Sequence, residues 1–189
     1  MNKRIILASK SHRRKEILTK MGYDFTIKES DFIENSCKND PVEIAKDFAL
    51  GKAKSVFNSL SKEEKKSVLV IGADTVVCAE GEIMGKPIDR NDAIRMITKL
   101  STCTHQVITG YAVVGEGILE CSHDTTSVSF KPLTREQIEK YVDEFEPYDK
   151  AGAYGIQDEG FVINYEGSYD NIVGFPSEKV GVLLKKILD

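Results

Sequence analysis

Tryptophan is absent from this chain of 189 residues, and histidine, cysteine and proline are scarce, with three, four and five copies. The cysteines stand alone at Cys37, Cys78, Cys103 and Cys121, and no two of them form a C-x-x-C pair. This spacing argues against a zinc site and favours reduced thiols, which are typical of proteins in a reducing compartment. We therefore expect a cytoplasmic location.

Long apolar runs are missing as well. No segment of the sequence approaches the roughly 20 apolar residues that span a bilayer, and the N-terminus lacks the apolar core and cleavage site of a signal peptide. The net charge of −4 at pH 7 argues against a general nucleic-acid binder. We expect neither a membrane nor a nucleic acid as partner, and an anionic ligand would need cations gathered at one place.

The length, with 41% hydrophobic residues, is enough for one domain with a full core, or for one elongated domain of two lobes. Apolar periodicity and capping residues predict the elements. Strands are expected at 4–8, 23–28, 68–71, 104–114, 118–130 and 161–165, and helices at 11–22, 40–60, 89–100, 134–145 and from 176 or 177 to 188.

The segment 67–87 combines a buried strand with a carboxylate. Val68 to Ile71 is an unbroken aliphatic run, followed by two small residues and then Asp74. A carboxylate at the edge of an apolar strand is costly unless a cation or a metal is its partner. The chain then turns near Glu80-Gly81 and returns to Lys86, so a hairpin would carry an acid on one arm and a cation on the other. The alternative is an Asp74 that only caps a turn, and this segment alone does not decide between the two.

A second candidate site lies where the first helix begins. Ser11 is a plausible N-cap, and Ser9, Arg13 and Arg14 surround it. Free backbone N–H groups at a helix start favour anions, and guanidinium groups bind phosphate oxygens in pairs. The pattern favours a phosphate site over the alternative of a solvated basic turn.

Other polar residues carry a weaker signal. Glu34 follows a short apolar pair and leans towards the surface, and Lys52 lies on an amphipathic helix, where lysines usually extend into solvent. The loop 146–157 is rich in small residues and holds Asp149, Lys150 and Gln157. Small residues permit close approach of a ligand, but a structural loop would need them equally.

Together these acids and cations suit a polyphosphate with Mg²⁺ or Mn²⁺, and a carboxylate could take a proton from an attacking water. The absences narrow the choice of enzyme class. The sequence has no G-x-x-x-x-G-K-[ST] loop, no G-x-G-x-x-G after the first strand and no G-x-S-x-G. Kinases, dinucleotide-dependent dehydrogenases and serine hydrolases are therefore disfavoured.

Six blocks of sequence carry a resemblance to a known family. In chain order they read LASKSHRRKEIL, LVIGADTVV, IMGKP, THQVITG, EPYDKAGAYGIQ and GSYDNIVGFP. The chain resembles the Maf family of nucleoside triphosphate pyrophosphatases, and the blocks cover nearly its whole length. The resemblance implies an α/β fold of the inosine-triphosphatase-like kind, an elongated mixed sheet with flanking helices and a cleft between two lobes. It also implies a single domain over residues 1–189.

The resemblance further implies hydrolysis of a nucleoside triphosphate to the monophosphate and pyrophosphate, with Mg²⁺ or Mn²⁺. Asp74 matches the position of the family's proton acceptor. Glu34 matches an acid that helps with metal or water, and Lys86 matches a third catalytic position. The metal would be held by Asp74 and Glu34. The substrate would be bound by residues that match its phosphate and base contacts: Ser9, Arg13, Arg14, Lys52, Thr75 and Gln157.

At three positions, Arg13, Thr75 and Gln157, the sequence is similar to the family's subgroup that acts on dTTP and UTP. We therefore expect hydrolysis of dTTP and UTP, which would remove surplus or non-standard nucleotides. Two alternatives stay open: a 7-methyl-GTP pyrophosphatase, and a nucleotide-binding regulator of septum formation without catalysis. A homodimer is also left open. One departure is His12, which stands where the family usually has proline, so the turn loses a residue with a fixed φ.

Overall fold

The computed structural model describes residues 3–158 and 160–188, and it shows an α/β fold. Its strands are β1 Arg4–Leu7, β2 Phe25–Ile27, β3 Val68–Ala79, β4 Glu82–Met84, β5 Thr104–Gly115, β6 Ile118–Phe130 and β7 Val162–Glu166. Its helices are α1 His12–Lys20, α2 Pro41–Asn58, α3 Lys62–Lys65, α4 Arg90–Leu100, α5 Arg135–Phe145, α6 Tyr169–Val173 and α7 Ser177–Leu188.

Over the described residues the strands form one seven-stranded mixed sheet. Its order is β2-β1-β3-β5-β6-β7, and β4 pairs with β3 outside this path. β1 runs parallel to β2 and to β3, whereas β4 and β7 are antiparallel to their partners. The prediction of an α/β fold with a mixed sheet and flanking helices is confirmed.

The parallel pairing of β1 and β3 brings two separate pieces of sequence together. Leu7 lies opposite Ile71, and the Ala8 N–H donates to the Ile71 carbonyl at 2.8 Å. The loop that follows β1 therefore begins beside the residues of β3 that follow Ile71. Ser9 and Asp74 lie on these two stretches.

Local capping explains where α1 and α2 begin. The Ser11 side chain accepts from the Arg14 N–H, and the Asp40 side chain accepts from the backbone of Val42 and Glu43 with Pro41 in the first turn. These contacts satisfy N–H groups that have no partner within a helix. Both helix starts agree with the sequence prediction.

Glycines in two neighbouring strands let α2 approach the sheet closely. A Cβ built on Gly72 of β3 would overlap the Ala49 carbonyl oxygen, and one on Gly110 of β5 would overlap that of Ala45. Ala45, Ala49 and Ala53 are fully buried on the same helix face. The small residues on both sides bring the helix backbone against the sheet.

The chain divides into two compact units. The first comprises Met1–Asp74, Thr109–Asp124 and Gly174–Asp189, and the second comprises Thr75–Ile108 and Thr125–Val173. Each unit has a hydrophobic cluster of its own, around Ala49 and Val70 in the first and around Ile97 and Tyr141 in the second. One domain of two lobes over 1–189 stays a prediction.

The sequence prediction missed two short helices. α3 and α6 both lie outside the helices expected from the sequence. β3 is one continuous strand of 12 residues that carries Asp74 within it. In the described part of the chain, every helix is too short or too polar to cross a bilayer.

Candidate active site

Asp74 is a buried carboxylate in the middle of β3. Only 7% of the residue is exposed, and its neighbours Ala73 and Val76 are buried too. A carboxylate in such surroundings needs a positive partner, because burial disfavours its charged form. The structure supplies that partner from α2.

The Lys52 ammonium contacts both acids predicted for the site. Its Nζ donates to Asp74 Oδ1 and lies 2.7 Å from Glu34 Oε1. The Lys52 side chain is 13% exposed, whereas that of Glu34 is 43% exposed. The expectation that a lysine on this helix face extends into solvent is therefore wrong, and Lys52 joins a buried acid to an exposed one.

The packing of α2 explains why Lys52 points inwards. It lies between Ala49 and Ala53, which contact the sheet at Gly72 of β3. Asp74 is two residues further along that strand. A long side chain next to the helix–sheet contact can therefore reach the carboxylate, although the helical pattern places it beside the apolar face.

Arg14 and Ser9 form the second half of the site in the same unit. The Arg14 Nε donates to the Gly174 carbonyl at 2.8 Å, and its Nη1 donates to Ser9 Oγ at 3.4 Å. Ser9 is buried, and its hydroxyl also accepts from the Ser11 N–H at 3.2 Å. These bonds fix the guanidinium at the start of α1.

Two other side chains belong to the first turn of α1. Arg13 is half-buried, and His12 is exposed with its Nε2 3.6 Å from Glu16 Oε1. The N-cap has an extended conformation, and the helix therefore begins regularly with histidine at its first position.

The electrostatics of the site centre on Asp74. Burial raises the pKa of its carboxyl above the usual range, and the positive charges of Lys52 and Arg14 oppose that rise. Burial also lowers the pKa of Arg14, although arginine stays charged in proteins. A carboxylate whose pKa is raised towards neutrality accepts a proton more readily than an ordinary aspartate. The arrangement can therefore act as a general base next to a group of cations.

Three other predicted residues belong to the second unit. Thr75 follows Asp74 on β3, Lys86 is exposed after β4, and Gln157 is exposed in a turn. The structure leaves their roles as predictions. In the loop 146–157, Lys150 pairs with Asp149 at 3.3 Å, and Asp158 lies 3.7 Å from the same ammonium.

The prediction also missed a residue of the first unit. The Gly174 carbonyl binds Arg14 across 160 positions of sequence. Gly174 lies in the block GSYDNIVGFP, which carried the family resemblance although no residue in it was assigned a role. His105, by contrast, is a buried strand histidine with its Nε2 2.9 Å from the Tyr154 hydroxyl.

Two carboxylates of the site converge on one point. Within the ranges 3–158 and 160–188, no group of three or more His, Cys, Asp or Glu side chains could hold a metal by itself. Asp74 and Glu34 nevertheless share one ammonium, so two carboxylates face the same point. Mg²⁺ is commonly bound by one or two carboxylates together with substrate phosphates.

Comparison with known proteins identifies the family of the chain. The family model described as Maf-like protein matches residues 4–187. The chain belongs to the Maf family. It is 46% identical over 182 residues to a dTTP/UTP pyrophosphatase of Geobacter metallireducens, covering 93% of this chain and 91% of the relative.

Two further Maf relatives carry the same name. The dTTP/UTP pyrophosphatase of Acetivibrio thermocellus is 43% identical over 189 residues, with 96% of this chain and 94% of the relative covered. That of Thermoanaerobacter sp. (strain X514) is 41% identical over 190 residues, with 98% and 97% covered.

Proposed function

We propose that this Maf protein is a nucleoside triphosphate pyrophosphatase that converts dTTP and UTP to the monophosphate and pyrophosphate. The observation that carries the proposal is the buried Asp74 carboxylate held on the Lys52 ammonium. The printed activity of three relatives at 41–46% identity supports the substrate class. Removal of surplus or non-standard nucleotides would follow from this activity.

Asp74 is the proposed general base. A water bound beside it loses a proton to the carboxylate while its oxygen bonds to the α-phosphorus. The bond from that phosphorus to the oxygen bridging the α- and β-phosphates breaks, and pyrophosphate leaves with its electrons. The raised pKa of Asp74 supports the role, because the carboxylate can hold the proton during the step.

The cations bind the triphosphate in this proposal. Arg14 is pre-oriented by Ser9 and Gly174, and Arg13 in the same turn adds a second guanidinium. An ammonium has three N–H donors, and the two carboxylates account for two donors of Lys52. The third is proposed for a phosphate oxygen, and the family resemblance adds Lys86.

Mg²⁺ or Mn²⁺ is the proposed cofactor, held by Asp74 and Glu34. When bound, such a cation neutralises charge that develops on the phosphate oxygens. Exposed Glu34 would complete the pair of carboxylates from the loop before α2, while buried Asp74 is fixed by β3.

Base selection is proposed for Thr75 and Gln157, together with Arg13. An amide offers both a donor and an acceptor, as the edge of a uracil or thymine ring requires.

The proposal also keeps the inosine-triphosphatase-like cleft implied by the family and leaves a homodimer open. A cytoplasmic location fits the four cysteines, which are free thiols.

The test is pyrophosphate release from dTTP, UTP, 5-methyl-UTP, CTP, GTP, ITP and 7-methyl-GTP, with Mg²⁺, Mn²⁺ or a chelator. We expect activity that depends on metal and is highest with dTTP and UTP. Asp74→Asn should lower kcat by roughly 10²–10⁴-fold, as expected for a lost general base. Asp47→Asn is the matched control, because Asp47 also pairs with a lysine, Lys38 at 2.8 Å, but lies on the exposed side of α2.

Each other outcome rejects a defined part of the proposal. Turnover close to normal in Asp74→Asn would remove the general base. A maximum with 7-methyl-GTP would keep the pyrophosphatase and overturn the choice of base. A folded protein without activity on any substrate would favour a regulator of septum formation.

A further inference from the structure

The turn that carries Gln157 is tied at both ends to one buried hydroxyl. The Gly155 N–H donates to the Tyr141 hydroxyl oxygen at 3.1 Å, and that hydroxyl donates to Asp158 Oδ2 at 2.6 Å. The Asp158 N–H closes the turn on the Gly155 carbonyl at 3.1 Å. Gln157 is the exposed third residue of this four-residue turn.

Tyr141 is a rigid anchor for these bonds. It lies on α5 and is 2% exposed. Its ring stacks on Phe145 with centroids 4.9 Å apart and packs against Phe161 at 4.6 Å. Close packing on both sides leaves the ring little freedom, so the position of its hydroxyl is set by the core of the second unit.

Charge fixes the direction of the hydrogen bond between Tyr141 and Asp158. Burial, followed by the bond to Asp158, raises the pKa of Tyr141, so the hydroxyl keeps its proton and donates it to the carboxylate. Lys150, whose Nζ lies 3.7 Å from Asp158 Oδ2, adds a positive charge on the same carboxylate. Bonds from a hydroxyl to a charged acceptor are among the stronger hydrogen bonds in proteins.

The turn also requires glycine at its first position. A Cβ on Gly155 would lie 2.6 Å from Asp158 Oδ2 and 3.0 Å from its carboxyl carbon. Such distances are too short, so a side chain there would displace the carboxylate. Gly155, Asp158 and Tyr141 therefore hold the turn around Gln157 together.

We propose that Tyr141 and Asp158 are positioning residues that fix the turn from which Gln157 selects the base of the substrate. The inference rests on the proposed function, in which Gln157 contacts a pyrimidine. A carboxamide has oxygen and NH₂ groups of nearly the same shape, and rotation by half a turn exchanges donor and acceptor. That rotation does not depend on the backbone. A fixed backbone instead sets the distance and angle at which the Gln157 amide meets the base, so a displaced turn would weaken its hydrogen bonds to uracil and lower the preference for UTP.

The experiment compares kcat/KM for UTP and for CTP in variants of the full chain. Tyr141→Phe keeps the packed ring and removes only the hydroxyl. We expect the preference for UTP to fall by about 3- to 10-fold, the range that one net hydrogen bond corresponds to. The change should come from a higher KM for UTP, with a smaller effect on kcat, because Asp74 is untouched.

Tyr154→Phe is the matched control. Tyr154 is also buried in the second unit and packs on Phe130, but its hydroxyl lies 2.9 Å from the His105 ring and is not bonded to the turn. We expect the same UTP preference as in the wild type. Equal loss of preference in both tyrosine variants would indicate a general effect of core damage and overturn the inference.

Substitutions of Asp158 test the same hydrogen bond without changing α5. Asp158→Ala should reproduce the effect of Tyr141→Phe, whereas Asp158→Asn keeps an acceptor for the hydroxyl and should restore much of the preference. The double variant Tyr141→Phe/Asp158→Ala should be no worse than Tyr141→Phe, because that substitution already removes the bond to Asp158. Additive losses, or an unchanged preference in both single variants, would reject the inference.

Two measurements separate this inference from the proposed function. Wild-type turnover of UTP tests the pyrophosphatase itself, before any variant is compared. Gln157→Ala tests the contact with the base: an unchanged preference there would reject both base selection by Gln157 and the positioning role. A preference lost in Gln157→Ala but kept in Tyr141→Phe would reject the positioning role alone.

Discussion

Lys52 holds two carboxylates of different burial, and this difference decides how the site responds to pH. Asp74 is buried and has a raised pKa, while Glu34 remains open to solvent. The ammonium opposes the effect of burial on Asp74 and so helps to keep it ionised. Removal of one partner from a buried ion pair leaves the other charge uncompensated, which the protein can relieve by protonation.

This balance predicts a shift in the pH profile. The general base must be ionised, so kcat/KM falls as the pH drops through the pKa of Asp74. Burial raises the pKa of Asp74 above the ordinary aspartate value of about 3.9, and a cation bound to the carboxylate would lower it again. Lys52→Met removes an attraction that lowers this pKa. The fall of kcat/KM at low pH, which is the acid limb of the profile, should therefore move to higher pH. The pH dependence of kcat/KM for UTP measures this effect.

The control for that profile is Lys54→Met. Lys54 lies on the same helix but is exposed, so its removal should leave the acid limb in place. An acid limb that stays unchanged in Lys52→Met, or moves to lower pH, would contradict the assignment of the limb to Asp74.

At the scale of the secondary-structure elements, local chemistry was enough to predict most boundaries. Ser11 and Asp40 cap their helices as the sequence indicated, because a cap involves only residues two or three positions apart. α3 and α6 have four and five residues, too few for an apolar period to appear.

Contacts between distant elements were beyond the reach of sequence patterns. The pairing of Lys52 with Asp74 and that of Arg14 with Gly174 depend on how the strands are ordered. The sequence pattern alone singled out Asp74, Arg13 and Arg14. It placed Glu34 and Lys52 on the surface, and only the family resemblance gave those two a role. Only the packing of α2 over Gly72 shows why Lys52 turns inwards.

That packing predicts a stability effect for Gly72→Ala. The added methyl would overlap the Ala49 carbonyl and lie 2.9 Å from the Ala53 N. Because both are backbone atoms, the helix itself must shift, and overpacking of this kind costs about 1–3 kcal/mol. We expect a lower urea midpoint with an unchanged m-value.

Gly85→Ala is the control for the effect of an added methyl group. A Cβ there would have no atom within 4 Å, and Gly85 does not have a positive φ. Its urea midpoint should equal or slightly exceed that of the wild type, since alanine restricts the unfolded chain more than glycine. An equal loss in both variants would contradict the role of close helix–sheet contact.

At the scale of the whole molecule, the charge of the protein and that of its proposed substrate have the same sign. The net charge is −4, from 26 basic and 30 acidic residues. Attraction of a triphosphate must therefore come from the local cations rather than from the overall field. Arg14 and Lys52 lie in the first unit with Asp74, where the described contacts join them to Ser9, Gly174 and the two acids.

Such a local attraction predicts that kcat/KM for UTP decreases several-fold as ionic strength rises from about 0.1 M to about 1 M, because the Debye length falls from about 10 Å to about 3 Å. Removal of one binding cation should make the dependence less steep.

Arg13→Gln is the test variant, since its side chain is only half-buried at the start of α1. Lys62→Gln, on exposed α3, is the matched control and should keep the wild-type slope. Equal slopes in all three proteins would show that Arg13 does not bind the phosphates, and a rate that rises with salt would show that the net negative charge outweighs the local cations.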